Sequence, residues 1–516
     1  MERSISRTIF CCLAACAVML TALPASAQFA TNANTGMLGA RDGRSVAADF
    51  DNDGNLDVFF SGEGSGALYS FIWRNQGNGT FVDLVDFTLG SINSGLAAGD
   101  FFNSGSIDAI LTAPGGPTTQ FWHNLGGGNF TLITNSGLPN ARNGFVAVGD
   151  FDNDGRLDIM FWGGGTTSSV VQAYRNLGNG TFTNMNSGIR SIGSSSTVAG
   201  VFAADFDNDG FMDVLVTNVV WRNLGNGTFT NMGTGITGAG AVGVAAADYD
   251  NDGRLDILGV SGLDAVVWRN LGGGNFVNAF ALSNVPQYSS MLWGDFSNDG
   301  QLDFFITGLS GYDTNANPLF AAQIWQNTLN TSNSPPTSPT NLTSHLIGGS
   351  GVLLNWGAAT DDHTPASGLN YNIRVGSVPG GLDIVSPMAD PATGRRLVVQ
   401  IGNAQERLFS ILTNLTGGTY YWSVQAIDTA FAGGPFATEA TFAIPPTISS
   451  GAYQSNGQFQ VTFNALGGSS YTLQGSTNLT QWDFVANLIP VASDPAQLTD
   501  PNAASFAKRY YRLSCP

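Results

Sequence analysis

The stretch Asp49–Asp57, "DFDNDGNLD", carries four aspartates in nine residues and runs directly into the apolar "VFF" of residues 58–60. Like charges this close repel one another, so the arrangement calls for something that neutralises them. The motif returns with its first position at Asp100, Asp150, Asp205, Asp248 and Asp295, a period of roughly 50 residues. A second motif follows each copy in phase, from "IWRNQGNGTF" (72–81) and "FWHNLGGGNF" (121–130) to a last, shortened "IWQN" (324–327). Strand-length apolar runs at such a period indicate a solenoid or a propeller.

Each unit reads as four strands. A small-residue strand leads into the aspartate loop, two apolar strands follow, and a Gly- and Asn-rich turn enters the fourth. Such turns need the positive φ that Gly and Asn supply. The residue before each loop is Ala48, Gly99, Gly149, Ala204, Ala247 or Gly294, never larger than alanine, as expected where innermost strands crowd around an axis. The sixth unit lacks its last strand, and "QFATNANTG" (28–36) parallels "TFTNMNSG" (181–188). The first strand can therefore complete the last sheet and remove the free edges of a linear array. The fold class expected is all-β: a six-bladed β-propeller over residues 28–330, seven blades remaining open, followed by two β-sandwich-type domains.

Composition agrees. The chain of 516 residues contains 67 glycines, and only 11% of it is charged, against about 25% in ordinary domains. A net charge of −19 argues against nucleic-acid or anionic-membrane partners, which need basic patches. Arg3 and Arg7, the apolar run Ile9–Leu23 and Ala25-Ser26-Ala27 read as a signal peptide over residues 1–27. Secretion with cleavage near Ala27 is expected, with lipidation at Cys16 of "LAAC" (13–16) the minor alternative. Cleavage leaves Cys515 as the sole cysteine, so an exported chain must be stapled without an internal disulfide. No later segment is apolar enough to span a membrane.

Within the loops, positions 1, 3, 5 and 9 offer side-chain oxygens, position 7 a backbone carbonyl, and glycine at position 6 the sharp turn that points them inward. This number of hard oxygen donors suits Ca²⁺. An EF-hand would need glutamate at position 12, where Phe60, Phe161, Val216 and Gly259 stand. Four strong sites are expected: Asp49, Asp51, Asp53, Asn55 and Asp57; Asp150, Asp152, Asp154, Arg156 and Asp158; Asp205, Asp207, Asp209, Phe211 and Asp213; Asp248, Asp250, Asp252, Arg254 and Asp256. A fifth, Asp295, Ser297, Asp299, Gln301 and Asp303, swaps one carboxylate for a hydroxyl and should bind more weakly. The second copy has Phe102 and Ser104 at positions 3 and 5, keeps only Asp100 and Asp108, and should hold no ion.

These repeats resemble the FG-GAP/VCBS family of integrin-α-like β-propellers, whose blades carry a D-x-D-x-D-G-x-x-D loop. The resemblance covers residues 28–330 and implies that the loop aspartates are calcium ligands. It also implies that partners bind through loops on the opposite face. Residues 331–338 read as a linker. Residues 339–444 resemble a fibronectin type III domain, with Trp356 as the core tryptophan of "VLLNW" and Tyr421 as the tyrosine of the corner motif. Residues 446–516 are similar to a small β domain found at the C-termini of secreted bacterial proteins.

No catalytic residue is assigned. His123 fills the slot held by Arg74, Arg175, Arg222 and Arg269 in other repeats, a structural position. The aromatic column Trp73, Trp122, Tyr174, Trp221, Trp268 and Trp325 repeats strictly and reads as core. Trp162, Tyr288 and Tyr312 break the repeat and are candidates for a recognition surface, while Arg41, Arg44, Arg142 and Arg190 lie in variable segments. A monomeric, calcium-stabilised adhesion or recognition protein is expected, binding an extracellular protein or glycan. A polysaccharide lyase and a purely structural exoprotein are the alternatives.

Overall fold

The computed structural model describes residues 29–515 apart from short stretches, the longest being 87–94, 113–118, 190–200, 236–243, 248–255, 298–302 and 328–332. The expected signal peptide lies outside the described residues. The chain is all-β, and no described helix is long and apolar enough to cross a membrane.

Among the described residues, 29–327 form six four-stranded antiparallel sheets. The first comprises Arg41–Ala48, Asp57–Gly64, Ala67–Asn75 and Phe81–Asp86. The leading strands of the six are Arg41–Ala48, Leu96–Gly99, Arg142–Gly149, Val201–Ala204, Val244–Ala247 and Gln287–Gly294. Each touches the next and the last returns to the first, so they ring a common axis. The sixth sheet takes its fourth strand from the other end of the described chain: Phe29–Asn32 pairs with Pro318–Asn327, Phe29 opposite Asn327 and Asn32 opposite Ile324. The likeness between residues 28–36 and 181–188 anticipates this closure.

Packing explains the repeat. The second strand of each sheet is covered on both faces, which is why Val58, Phe59 and Phe60 are consecutive, apolar and fully buried. The phenylalanine at the second loop position reaches the fourth strand of the following sheet: Phe50 meets Phe130 at 6.0 Å, Phe101 meets Phe182 at 6.0 Å, and Phe151 meets Phe229 at 5.7 Å between ring centroids. Burying each such ring stabilises by about 1.5–3 kcal/mol. The aromatic column fills the sheets, with Trp73 stacked on Phe60 and Trp325 on Phe304, each at an interplanar angle of 8°. Small residues before the loops suit the close packing there: a Cβ at Gly99 would lie 2.7 Å from Leu157 Cδ1, and one at Gly149 2.8 Å from Met212 Cγ, so these side chains would have to shift.

Beyond the ring, Thr340–Ile347, Gly351–Gly357 and Phe409–Leu412 form one sheet and Asn370–Gly376, Gly418–Ile427 and Ala440–Ile444 another. Trp356, Tyr371 and Trp422 lie in the core between them. Two further three-stranded sheets span Ile448–Ser514 around Phe463 and Tyr471. One expectation is corrected here. The corner hydrogen bond is made by Tyr420, whose hydroxyl donates to Thr416 O at 2.7 Å, and not by Tyr421. In a strand side chains alternate, and Tyr420 shares the core-facing side with Trp422.

The segment 377–408 leaves the second unit and lies across the end of the ring that carries the aspartate loops. Asp49 N donates to Leu397 O at 2.7 Å and Ala48 bridges Val398. Ser386 N donates to Asn103 Oδ1 at 3.1 Å, and Met388, Leu397 and Val398 pack with Ala48, Phe50 and Leu96.

Tyr420→Phe should cost about 1 kcal/mol in urea denaturation, while Tyr421→Phe should stay within about 0.5 kcal/mol of wild type. Equal costs would restore Tyr421 to the corner.

Candidate metal centre

The loops are shaped by backbone N–H groups captured on carboxylates. In the first, Asp49 accepts from Asp53 N at 3.0 Å and Gly54 N at 3.1 Å. Gly54 sits at φ +105°, a region side chains avoid. Asp57, fully buried, accepts from Phe50 N at 3.0 Å and Asn75 N at 2.9 Å, tying the loop's start to the third strand. The third copy repeats this with Asp150 on Asp154 N and Gly155 N, and Asp158 on Phe151 N and Asn176 N. The second copy, with only two acids, has the same frame: Asp100 accepts from Ser104 N and Gly105 N, and Asp108 from Phe101 N and Asn124 N. The loop conformation therefore does not depend on a complete ligand set.

The frame extends between sheets through an asparagine that the sequence reading passed over. Asn124 Nδ2 donates to Ile107 O in its own sheet at 3.1 Å and to Phe50 O in the preceding one at 2.8 Å. Asn176 does the same to Leu157 O and Phe101 O, and Asn223 to Met212 O and Phe151 O. Their Oδ1 atoms accept from Gly126, Gly178 and Gly225 N. The signal was present, because an asparagine is the fourth residue in every copy of the second motif.

Carboxylate oxygens converge in two described loops. Those of Asp49, Asp51 and Asp53 lie within 4.8 Å of one another, as do those of Asp150, Asp152 and Asp158. The arginine of the "WRN" or "YRN" motif neutralises the outer members: Arg74 stands 2.7 Å from Asp51 and 2.8 Å from Asp53, and Arg175 pairs with Asp152. Arg156 meets Asp154 at 3.1 Å. Asp152 Oδ1 is nonetheless buried with no hydrogen-bond donor among the described residues. Burial pushes the Asp57 carboxyl up to about 8. Burial and the neighbouring carboxylates push Asp150 and Asp158 up as well. Clustered, desolvated, donor-poor oxygens of this kind fit a hard divalent cation.

The second loop meets the same charge problem differently. His123 Nδ1 lies 2.8 Å from Asp108 Oδ1, and its ring lies 4.0 Å from that of Phe102. Burial raises Asp108 to about 6, and the bond to Asp108 raises the imidazole. His123 stands here beside a buried carboxylate that has no carboxylate partners at positions 3 and 5.

Of the remaining expected ligands, Asp213 accepts from Phe206 N at 3.2 Å and Asn223 N at 2.8 Å. Asp303 accepts from Ser297 N at 3.1 Å, and Asp295 is half-buried beside it. The Asn55 and Phe211 backbones follow the loops, and Asp256 begins the strand Asp256–Ser261. Asp205, Asp207, Asp209, Asp248, Asp250, Asp252, Arg254, Asp299 and Gln301 lie outside the described residues. One participant had no sequence signal: Arg395, from the segment 377–408, places its guanidinium on Asp49 Oδ2.

The FG-GAP-like repeat family matches residues 49–111, 100–161, 150–216 and 217–259. Cartilage acidic protein 1 of Mus musculus is 28% identical over 138 residues, covering 25% of this chain and 20% of that protein. The Xenopus tropicalis protein of the same name is 29% identical over 131 residues, with the same coverages. The chain thus spans about a fifth of the length of these relatives. Among solved structures, an Agrocybe aegerita lectin that recognises non-reducing terminal N-acetylglucosamine aligns with TM-score 0.37 at 18% identity, over 64% of this chain and 82% of that one. A mutant of AofleA from Arthrobotrys oligospora aligns with TM-score 0.38 at 12% identity, over 58% and 88%. Residues 49–259 carry FG-GAP-like repeats on a propeller-like all-β frame.

A carboxyl raised in the folded state holds a proton that the unfolded chain releases, so stability falls as pH rises from its unfolded value through its folded one. In chelator, Asp57 should make the protein less stable at pH 8 than at pH 5, by about 5 °C in Tm. His123, raised by its bond to Asp108, acts in the same direction above its unfolded value. Calcium should cancel most of the fall. A pH-independent Tm in chelator, or no shift with calcium, would contradict this.

Proposed function

We propose that this chain is an exported recognition protein. Its six sheets are the blades of a closed propeller, its aspartate loops hold Ca²⁺ at four strong sites and a weaker fifth, and it binds an extracellular glycan or protein through the propeller. Asp49, Asp51, Asp53 and Asp57, and Asp150, Asp152, Asp154 and Asp158, would hold ions in the first and third loops. The ion would supply positive charge that keeps these carboxylates ionised and close together. Its role is to hold the blades, and the binding surface lies elsewhere.

The observation that carries the reading is the position of the segment 377–408. It covers the aspartate-loop end of the ring, which leaves the opposite end for the binding surface on this reading. The sequence between the second and third strands differs from unit to unit, whereas the aspartate loops repeat. The sixth sheet has the longest described hairpin strands, Asp303–Tyr312 and Pro318–Asn327, and presents Tyr312 and Leu319 to solvent, 62% and 48% exposed. Trp162 leaves the list of surface candidates: it lies in the strand Asp158–Gly164 with its indole nitrogen buried and its ring 5.3 Å from Phe145. The Tyr288 side chain lies outside the described residues.

The full chain, in calcium, should be retained by one or more members of an immobilised panel of glycans and extracellular proteins, with Tyr312→Ser weakening retention about tenfold. New unsaturated sugar ends after incubation with acidic polysaccharides would replace this reading with the lyase alternative. Retention by nothing on the panel would favour a structural exoprotein.

A further inference from the structure

The segment 377–408 crosses three successive aspartate loops at the same point, the glycine at the sixth position. A Cβ at Gly54 would lie 3.8 Å from Arg395 Nε, one at Gly105 3.8 Å from Leu382 Cδ1, and one at Gly155 2.8 Å from Val385 Cγ2. The three loops share one backbone frame, in which the first aspartate accepts two N–H groups. What meets that aspartate from outside the loop differs. Asp100 faces the Ser386 hydroxyl. Asp150 pairs with no cationic side chain among the described residues, the arginines at its loop going to Asp152 and Asp154. Asp49 receives the Arg395 guanidinium on Oδ2.

We infer that Arg395 sets the cation affinity of the first loop, opposing an ion there with a positive charge carried in by a different unit of the chain. The inference rests on the reading of the loops as Ca²⁺ sites given above. Three observations carry it. First, the Asp49 side chain is fully buried, so a charge placed on it is poorly screened by water. Second, the guanidinium is held in place by the backbone around it. Asp390 N donates to Arg395 O at 2.8 Å, and Arg395 N donates to Thr393 Oγ1 at 3.3 Å. Two residues further on, Leu397 O accepts from Asp49 N at 2.7 Å and Val398 bridges Ala48. Third, Asp49 is the one carboxylate that Arg395 pairs with among the described residues. Asp390, the acid of its own turn, gives its oxygens to Ala392 N at 2.9 Å and Thr393 Oγ1 at 2.7 Å.

The outer carboxylates have arginines in both loops, Arg74 in the first and Arg156 and Arg175 in the third. Arg395 is therefore the cation that sets the first position of loop 49–57 apart from that of loop 150–158. Like charges on one carboxylate repel, so an ion that draws on Asp49 must share it with Arg395 or displace it. The coupling is reciprocal: an ion in the first loop weakens the hold of residues 395–398 on the ring, and that hold weakens the ion.

The test is a calcium titration of the full chain read by peptide-resolved hydrogen–deuterium exchange, in which loops 49–57 and 150–158 each report their own midpoint. Arg395→Gln should lower the midpoint of loop 49–57 about tenfold and leave that of loop 150–158 within about twofold of wild type. Arg395→Lys keeps the charge and should hold the first midpoint within about threefold of wild type. Wild-type exchange in the strand Ala67–Asn75 shows that a variant is folded, and Arg395→Met is the second charge-removing variant if Arg395→Gln is not. A first-loop midpoint that a folded charge-removing variant leaves unchanged or raises would overturn the inference while leaving the calcium reading standing. So would an equal shift in both loops, or a shift with Arg395→Lys as large as with Arg395→Gln. Calcium that protects neither loop would remove the calcium reading and the inference with it.

Discussion

A buried carboxylate at the ninth position of each described aspartate loop is the constraint on which the ring depends. Asp57, Asp108, Asp158 and Asp213 each join the start of their own loop to the third strand of their own sheet through two backbone N–H groups. The asparagine whose N–H they accept then reaches the preceding sheet, where its side-chain amide meets the carbonyl of the loop phenylalanine. That phenylalanine in turn packs on the fourth strand of the following sheet. Carboxylate, asparagine and phenylalanine form one unit that repeats around the axis and couples each sheet to both neighbours.

The same device creates an electrostatic debt, because the carboxylates that make the frame are desolvated and close to one another. The chain settles it in more than one way. Arg74 of "WRN" and Arg175 of "YRN" cover the outer carboxylates of the first and third loops, Arg395 reaches Asp49 from the following unit, and His123 sits on Asp108 where the ligand set is incomplete. The oxygens left over at Asp152 are the ones that ask for an ion. The backbone frame is common to all three loops, so a cation bound there would act on charge and cohesion more than on loop shape.

Much of this was legible in the sequence because it is local or repeated. The period, the small residues before the loops and the strand that closes the sixth sheet all follow from residues that recur in phase. What escaped depends on placement in space. The asparagine was visible as a repeat, but its partner in another sheet lies more than 70 residues away. Tyr420 and Tyr421 both fit the corner pattern in sequence, and only the alternation set by Trp422 separates them. Trp162 looked like a loop residue beside its glycines, yet it is in a strand and packs on the inner wall. Nothing in residues 377–408 marks them as the cover of a ring hundreds of residues earlier, since each contact they make there is non-local and unrepeated.

The most direct test of the central claim, that cations offset the buried loop carboxylates and that His123 replaces one of them, is a crystal structure grown in calcium with anomalous scattering data. Peaks should appear within about 2.3–2.6 Å of the carboxylate oxygens in loops 49–57 and 150–158, with none in loop 100–108, where His123 should remain on Asp108. A peak in loop 100–108, or none in the other two, would contradict it.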